Sequence, residues 1–245
     1  ITQVTIADTA SNTSFYYYDD LIGTWTITGA RTGITTATDA IDVVSAPADY
    51  FVLSAAADTT AGQRAAYTVW RYDVYNNPVT LNAQTVYLYR AGVTDANAVF
   101  YDAAVDGNII TSIDIPNAAS SVNFWYYAQV SGNHNVTTSD ATPAPDGDTN
   151  INDDTDTIAY APAATSVYSF NDLTSMTAGT YANYAVTRFD AYGNLVMSGN
   201  ETVDLASTSA GINKKFIRWP ALGSYNTPGT AYAVFVSGNY SFVGD

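Results

Sequence analysis

The residues best suited to chemistry lie in one acidic stretch, Asp146-Gly147-Asp148-Thr149-Asn150-Ile151-Asn152-Asp153-Asp154-Thr155-Asp156. Oxygen-bearing side chains at Asp146, Asp148, Asn150, Asn152, Asp154 and Asp156 recur at alternate positions, a spacing that lets a loop wrap a hard cation such as Ca²⁺. The stretch has neither the terminal bidentate glutamate nor the phased glycine of an EF-hand loop. Two readings stand: calcium bridging carboxylates that otherwise repel and so stiffening a joint between folded units, or a solvated acidic linker. No cofactor other than calcium is expected.

Arg71 with Asp73, and Arg188 with Asp190, stand two apart and so project from one face of a strand, where an ion pair can form. An arginine-neutralised carboxylate is ionised and poorly suited to proton transfer, so these pairs read as structural and not catalytic. His134 is the only histidine and there is no cysteine, which leaves no spacing for a zinc centre or for a Ser-His or Cys-His nucleophile. His134 is expected at the surface, near a strand end.

Two aromatic runs, Tyr16-Tyr17-Tyr18 and Phe124-Trp125-Tyr126-Tyr127, must on a strand point alternately to both faces. One face belongs to a core; the other leaves rings such as Tyr16, Tyr18, Trp125 and Tyr127 to stack on sugar or to be covered by a neighbouring repeat or subunit. Lys214, Lys215 and Arg218 gather three of the 8 basic residues in one place. That patch suits docking to the acidic surface of another copy, or an ordinary solvated strand edge where lysines discourage unwanted pairing. Asn12, Asn135, Asn200 and Asn239 each begin an Asn-x-Ser/Thr acceptor pattern, which permits glycosylation where the machinery exists.

The elements that hold these residues follow from composition. Of 23 acidic residues only Glu201 is glutamate, and only Lys214 and Lys215 are lysine. Straight-chain helix formers are scarce, while β-branched and aromatic residues that pack on a pleated surface are plentiful, so an all-β chain is expected. A net charge of −15 excludes nucleic acid as a partner, because its phosphates would be repelled. No apolar run reaches the roughly 18 residues of a membrane helix, so no membrane insertion is expected in this segment.

Internal repetition sets the organisation. The segment from Ala61-Gly62 through Tyr67, Val69, Arg71, Asp73, Tyr75, Asn77 and Val79 aligns without a gap to Ala178-Gly179 through Tyr184, Val186, Arg188, Asp190, Tyr192, Asn194 and Val196. A second block, Phe124 to Thr137, matches Phe15 to Thr28 and again Ala231 to Phe242. Ile1–Ile6 matches Ile110–Ile115, so the first residue corresponds to a mid-repeat strand. Strands are expected near 49–54, 64–73, 84–90, 97–102, 109–115, 122–130 and 134–138. About seven short alternating segments per repeat are the pattern of a two-sheet sandwich.

The duplicated Ala-Gly to Asp-x-x-Gly-Asn block resembles the invasin/intimin type of bacterial immunoglobulin-like domain. Asp190-Ala-Tyr-Gly193-Asn194 matches its turn fully, and Asp73-Val-Tyr-Asn76-Asn77 replaces glycine by asparagine. The resemblance implies tandem immunoglobulin-like β-sandwich repeats on a cell surface, with no catalytic residues to carry over. The expected domains are 1–40, the later strands of one repeat plus a linker; 41–145, a complete sandwich; 146–157, an acidic linker; and 158–245, a second complete sandwich. Linkers are expected at Arg31–Asp42 and Thr138–Thr157.

The opening partial repeat is expected either to be cut from a longer polypeptide or to be completed by strands from another chain. The function expected is a non-enzymatic, extracellular structural one: a segment of a self-assembling surface layer, sheath or filament. Its partners are then other copies of itself or further repeats of the same polypeptide. The stalk of an invasin-like adhesin is a second reading, and a carbohydrate-binding accessory module, with glycan as partner, a third.

Overall fold

The computed structural model describes residues 3–173, 175–212 and 214–216, and the backbone of 233–237 and 240–244. Among them the chain is all-β, with no helix. It divides into two units, residues 1–197 and 198–245.

The first unit opens with a segment outside the strands, then a hairpin of β1 (Gly23–Arg31) and β2 (Ile34–Val43). Residues 31–42, expected as a linker, are therefore paired backbone: Trp25 lies opposite Ile41 and Thr28 opposite Thr38. Gly33, at φ +81, makes the tight turn that lets a Thr-rich stretch fold back on itself.

Next in the chain is a sandwich. Its strands are β3 (Tyr50–Leu53), β4 (Thr59–Thr60), β5 (Arg64–Tyr72), β6 (Gln84–Gly92), β7 (Val99–Tyr101) and β8 (Ile109–Ile110). The chain continues through β9 (Ser112–Ile115), β10 (Ser121–Tyr127), β11 (Gly132–Ser139) and β12 (Asp154–Ala161). One sheet has the order β3-β5-β10-β7-β8 and the other β4-β12-β11-β6-β9. The expected strands stand within a few residues of these.

Period-two burial explains the pairing. In β5 Ala65, Tyr67, Val69 and Arg71 turn inward; in β10 Phe124 and Tyr126 do. Tyr67 stacks on Phe124 at 5.4 Å, and Phe100 meets Phe124 edge-on at 5.9 Å. Val86, Leu88, Ile115, Val136, Ile158 and Tyr160 supply the facing sheet. Burying each large side chain contributes about 2–3 kcal/mol, which is how a unit without disulfides holds together.

The acidic linker is corrected in the same way. β12 pairs along β11 from Gly132↔Tyr160 to Thr138↔Asp154, so residues 154–161 close the sandwich and only 140–153 form a loop within it. The aspartates that made this strand look like linker bind backbone instead: Asp154 accepts from Leu53 N at 2.7 Å, and Asp156 from Ala56 N at 3.2 Å and from the Tyr67 hydroxyl at 3.0 Å.

After Ala161 the opening of the sandwich recurs. β13 (Val167–Phe170) pairs with β14 (Val186–Phe189) as β3 pairs with β5: Val167↔Phe189 repeats Tyr50↔Tyr72. The isolated bridge Phe189↔Leu195 repeats Tyr72↔Pro78. In the second unit β15 (Ala233–Ser237) and β16 (Tyr240–Gly244) form a hairpin.

Candidate functional site

The motif that the sequence duplicates is a turn built around one carboxylate. Past β5 the chain reverses over Asp73–Asn77, closed by Asp73 N to Asn77 O at 3.0 Å. Asn76 takes the left-handed conformation there at φ 68, and Gly193 does so in the copy at φ 86. Asp73 Oδ1 accepts the amides of Tyr75 and Asn77 at 3.0 and 2.8 Å, while Oδ2 accepts Ala46 N at 3.0 Å and the Asn77 carboxamide at 3.1 Å. Asp190 repeats this with Tyr192 N, Asn194 N, Ala163 N and Asn194 Nδ2, at 2.9, 2.8, 2.8 and 2.8 Å. Burial alone would push both carboxyls up, but the donors outweigh it and hold them below the ordinary carboxylate value.

The expected pairing of Arg71 with Asp73 is not what the two residues do. β5 ends at Tyr72, so the period-two projection does not reach Asp73. Arg71, 2% exposed, donates from Nε to Val79 O at 2.9 Å and from one terminal nitrogen to Asn82 O at 2.6 Å and Ala119 O at 3.0 Å. Three carbonyls of loop backbone are thereby satisfied by one planar fork. Arg188 Nε makes the matching bond to Val196 O at 2.9 Å.

His134 is likewise a correction, being fully buried and not at the surface. It lies on the inward face of β11, with Nδ1 at 2.9 Å from the Tyr126 hydroxyl and Nε2 at 2.8 Å from Val130 O. A carbonyl only accepts, so Nε2 carries a proton and donates to Val130 O. Burial pushes the Tyr126 hydroxyl up to about 12, which keeps it a donor. In the preceding copy of the block Trp25 stands where His134 stands, and its Nε1 donates to Leu21 O at 3.0 Å. The Trp25 alignment was the signal that this position serves a corner carbonyl.

That corner, Ala128–Ser131 between β10 and β11, has its polar backbone almost wholly accounted for. Gly62 N donates to Ala128 O at 2.8 Å. Asp95 Oδ2 accepts Gln129 N at 2.6 Å and Val130 N at 3.0 Å, and His134 takes Val130 O. The remaining pair, Gln129 O and Ser131 N, is met from the next turn by Asn194, which donates from Nδ2 at 2.7 Å and accepts at Oδ1 at 2.8 Å. Asn77 treats the equivalent Asp20 O and Ile22 N in the same way, at 2.8 and 3.3 Å.

Of the aromatic candidates, Tyr127 lies beside Tyr192 and pushes its hydroxyl up, and Tyr75 does the same to Tyr18, again at equivalent places. Trp125 is half-buried on β10, and Tyr16 is 99% exposed. Lys214 and Lys215 are exposed and lie outside a strand, with Lys214 Nζ on Ser209 O at 2.5 Å; Arg218 lies outside the described residues. Asn12 and Asn200 are exposed, Asn135 sits in β11 with its Oδ1 on the Thr157 hydroxyl at 2.9 Å, and Asn239 lies outside the described residues.

The acidic loop brings together a different set from the alternating one. Asp140, Asp146 and Asp153 place carboxylate oxygens within 4.8 Å of one another. Among the described residues, Asp140 Oδ1 and Asp153 Oδ1 are shut off from solvent and find no hydrogen-bond partner. Burial pushes the Asp140 carboxyl up, and Asp146 and Asp153 push it the same way. Such a group can hold a hard cation or share a proton. Asp148 and Asn150 face solvent, and Asn152 bonds through its backbone to Asp49 and Phe51. Asp154 and Asp156 are engaged with Leu53 at the end of β3 and with Ala56 just beyond it. Left-handed turns at Gly147 and Asn150, φ 71 and 60, break the alternation on which the sequence spacing relied.

No protein-family model and no curated protein matches the chain. Solved structures resemble parts of it. A β-glucuronidase of glycoside hydrolase family 2 matches at TM-score 0.37 and 14% identity, over 59% of this chain and 15% of that one. A glycosyl hydrolase family 2 member from Bacteroides cellulosilyticus matches at 0.36 and 14%, over 58% and 18%. Domains 1–6 of the surface layer protein SbsC match at 0.33 and 17%, over 72% and 20%. The chain thus spans a fifth or less of the length of these proteins, and similarity this low carries no activity, substrate or partner over to it.

Proposed function

We propose that the chain is a non-enzymatic structural segment of an extracellular, cell-surface assembly, made of tandem immunoglobulin-like sandwiches of the invasin/intimin kind. In this reading residues up to 43 close one repeat, 44–161 form a whole one, and 162 onward begin the next. The observation that carries it is the open apolar surface ahead of β3: Val4, Ile6, Phe15, Tyr16, Tyr18, Leu21 and Ile34 are all exposed. So many large apolar side chains left exposed in one stretch of chain call for cover by protein, and a chain made of repeats supplies it from further repeats or from other copies. Asp73, Asp190 and His134 are buried with their polar atoms occupied by backbone and core partners, which favours structure over catalysis at these three positions.

Sedimentation velocity over a dilution series, with and without Ca²⁺, tests the proposal. Sedimentation coefficients that climb with concentration, and that fall when Lys214 and Lys215 become glutamate, support assembly through that patch. One monomeric species at every concentration rejects the lattice in favour of an adhesin stalk, where the same sandwiches merely hold a tip away from the cell. Quenching of the exposed tyrosines by soluble glycan would instead favour the carbohydrate-binding module.

A further inference from the structure

We infer that the Asp-x-x-x-Asn turn is a coupling device, with which each sandwich grips the β10–β11 corner of the sandwich before it. The inference rests on the tandem-repeat reading and adds the surface and the partner: the partner is the following repeat, and the socket is a carbonyl and an amide two residues apart.

The chemistry of the grip is specific to asparagine. Gln129 O and Asp190 Oδ2 only accept and Ser131 N only donates, so the Asn194 carboxamide must present Nδ2 to the first two and Oδ1 to the third. Aspartate has no donor for Gln129 O, and alanine leaves both corner groups unmet. Asp190 orients the carboxamide and also takes Ala163 N in the connection between the two repeats, so one carboxylate fixes turn and connection together. Tyr192 completes the contact: it lies so close to Gly62 that a Cβ there would stand 2.0 Å from its hydroxyl.

The socket is held from within its own sandwich. Asp95 holds the amides of Gln129 and Val130 and His134 holds Val130 O, which leaves Gln129 O and Ser131 N directed at the newcomer. At the earlier junction Asn77 and Asp73 do the same to Asp20, Ile22 and Ala46. Two independent copies with matching partners make a chance contact an inadequate account, and they imply one joint geometry between successive repeats.

Amide hydrogen exchange resolved by residue tests this on the whole chain. In the wild type the Ser131 amide should be protected, and Asn194→Ala should speed its exchange at least about tenfold, the equivalent of one net hydrogen bond, while amides of the β10–β5 ladder keep their rates. Asn77→Ala should do likewise at Ile22, so the pair of variants still decides the matter if one fails to fold. Wild-type Ser131 and Ile22 amides that exchange freely while the β10 and β11 amides are protected overturn the coupling and leave the repeats intact. Unprotected β10 and β11 amides overturn the repeat reading itself.

Discussion

Replacing Arg71 by methionine keeps the buried stem and deletes the fork that serves Val79, Asn82 and Ala119. Those three bonds, at 2.9, 2.6 and 3.0 Å, are charge-assisted, and each is worth about 1.5–3 kcal/mol against an acceptor left bare. Relief of the buried charge returns part of the sum, since burial already pulls the guanidinium below its ordinary value. A net loss of about 4 kcal/mol is expected, close to the whole stability of a marginal domain and equivalent to a drop in Tm of about 15 °C. Arg71→Lys should recover less than half, because one ammonium cannot reach three carbonyls in fork geometry. Urea unfolding followed by tryptophan fluorescence reads both variants, with the midpoint moving and the slope unchanged. A loss under about 1 kcal/mol for methionine, or near-complete rescue by lysine, would refute the carbonyl-fork account and favour a simple ion pair.

The other predictions concern the buried histidine, the carboxylates and the acidic loop. His134→Phe should cost about 2–4 kcal/mol in the same assay, because it strands the Tyr126 hydroxyl and Val130 O; an unchanged midpoint would place the ring elsewhere. Asp73, Asp95 and Asp190 have carboxyls held below their ordinary value, so the stability they contribute is complete above about pH 4–5 and is lost as pH falls through their folded values. Asp140, pushed upward, has the opposite sign, and Asp140→Asn should stabilise the protein at neutral pH when no cation is supplied. Millimolar Ca²⁺ should raise the melting temperature of the wild type, and Asp153→Asn should abolish the rise; titration without heat, together with identical melts in Ca²⁺ and in chelator, would remove calcium from the account.

The strand pattern was legible because Ala65, Tyr67, Val69, Phe124 and Tyr126 alternate cleanly with outward residues, and because one block occurs twice. β2 and β12 were not legible as strands, since neither alternates apolar with polar along its length. β2 exposes nearly every side chain, and the first half of β12 turns Asp154 and Asp156 to backbone amides about a hundred positions away. The Asp-x-x-x-Asn turn was visible as a motif, but its partners at Gln129 and Ser131 depend on how successive sandwiches meet, which no local pattern encodes. His134 was misplaced for a related reason. A lone polar ring near a strand end reads as solvated until its register puts it inside.

Negative-stain images of the purified chain at rising concentration, with and without Ca²⁺, bear most directly on the proposal that its role is assembly. Ordered sheets or filaments are the predicted result. Well-folded single particles that stay separate at every concentration, in either condition, would contradict it.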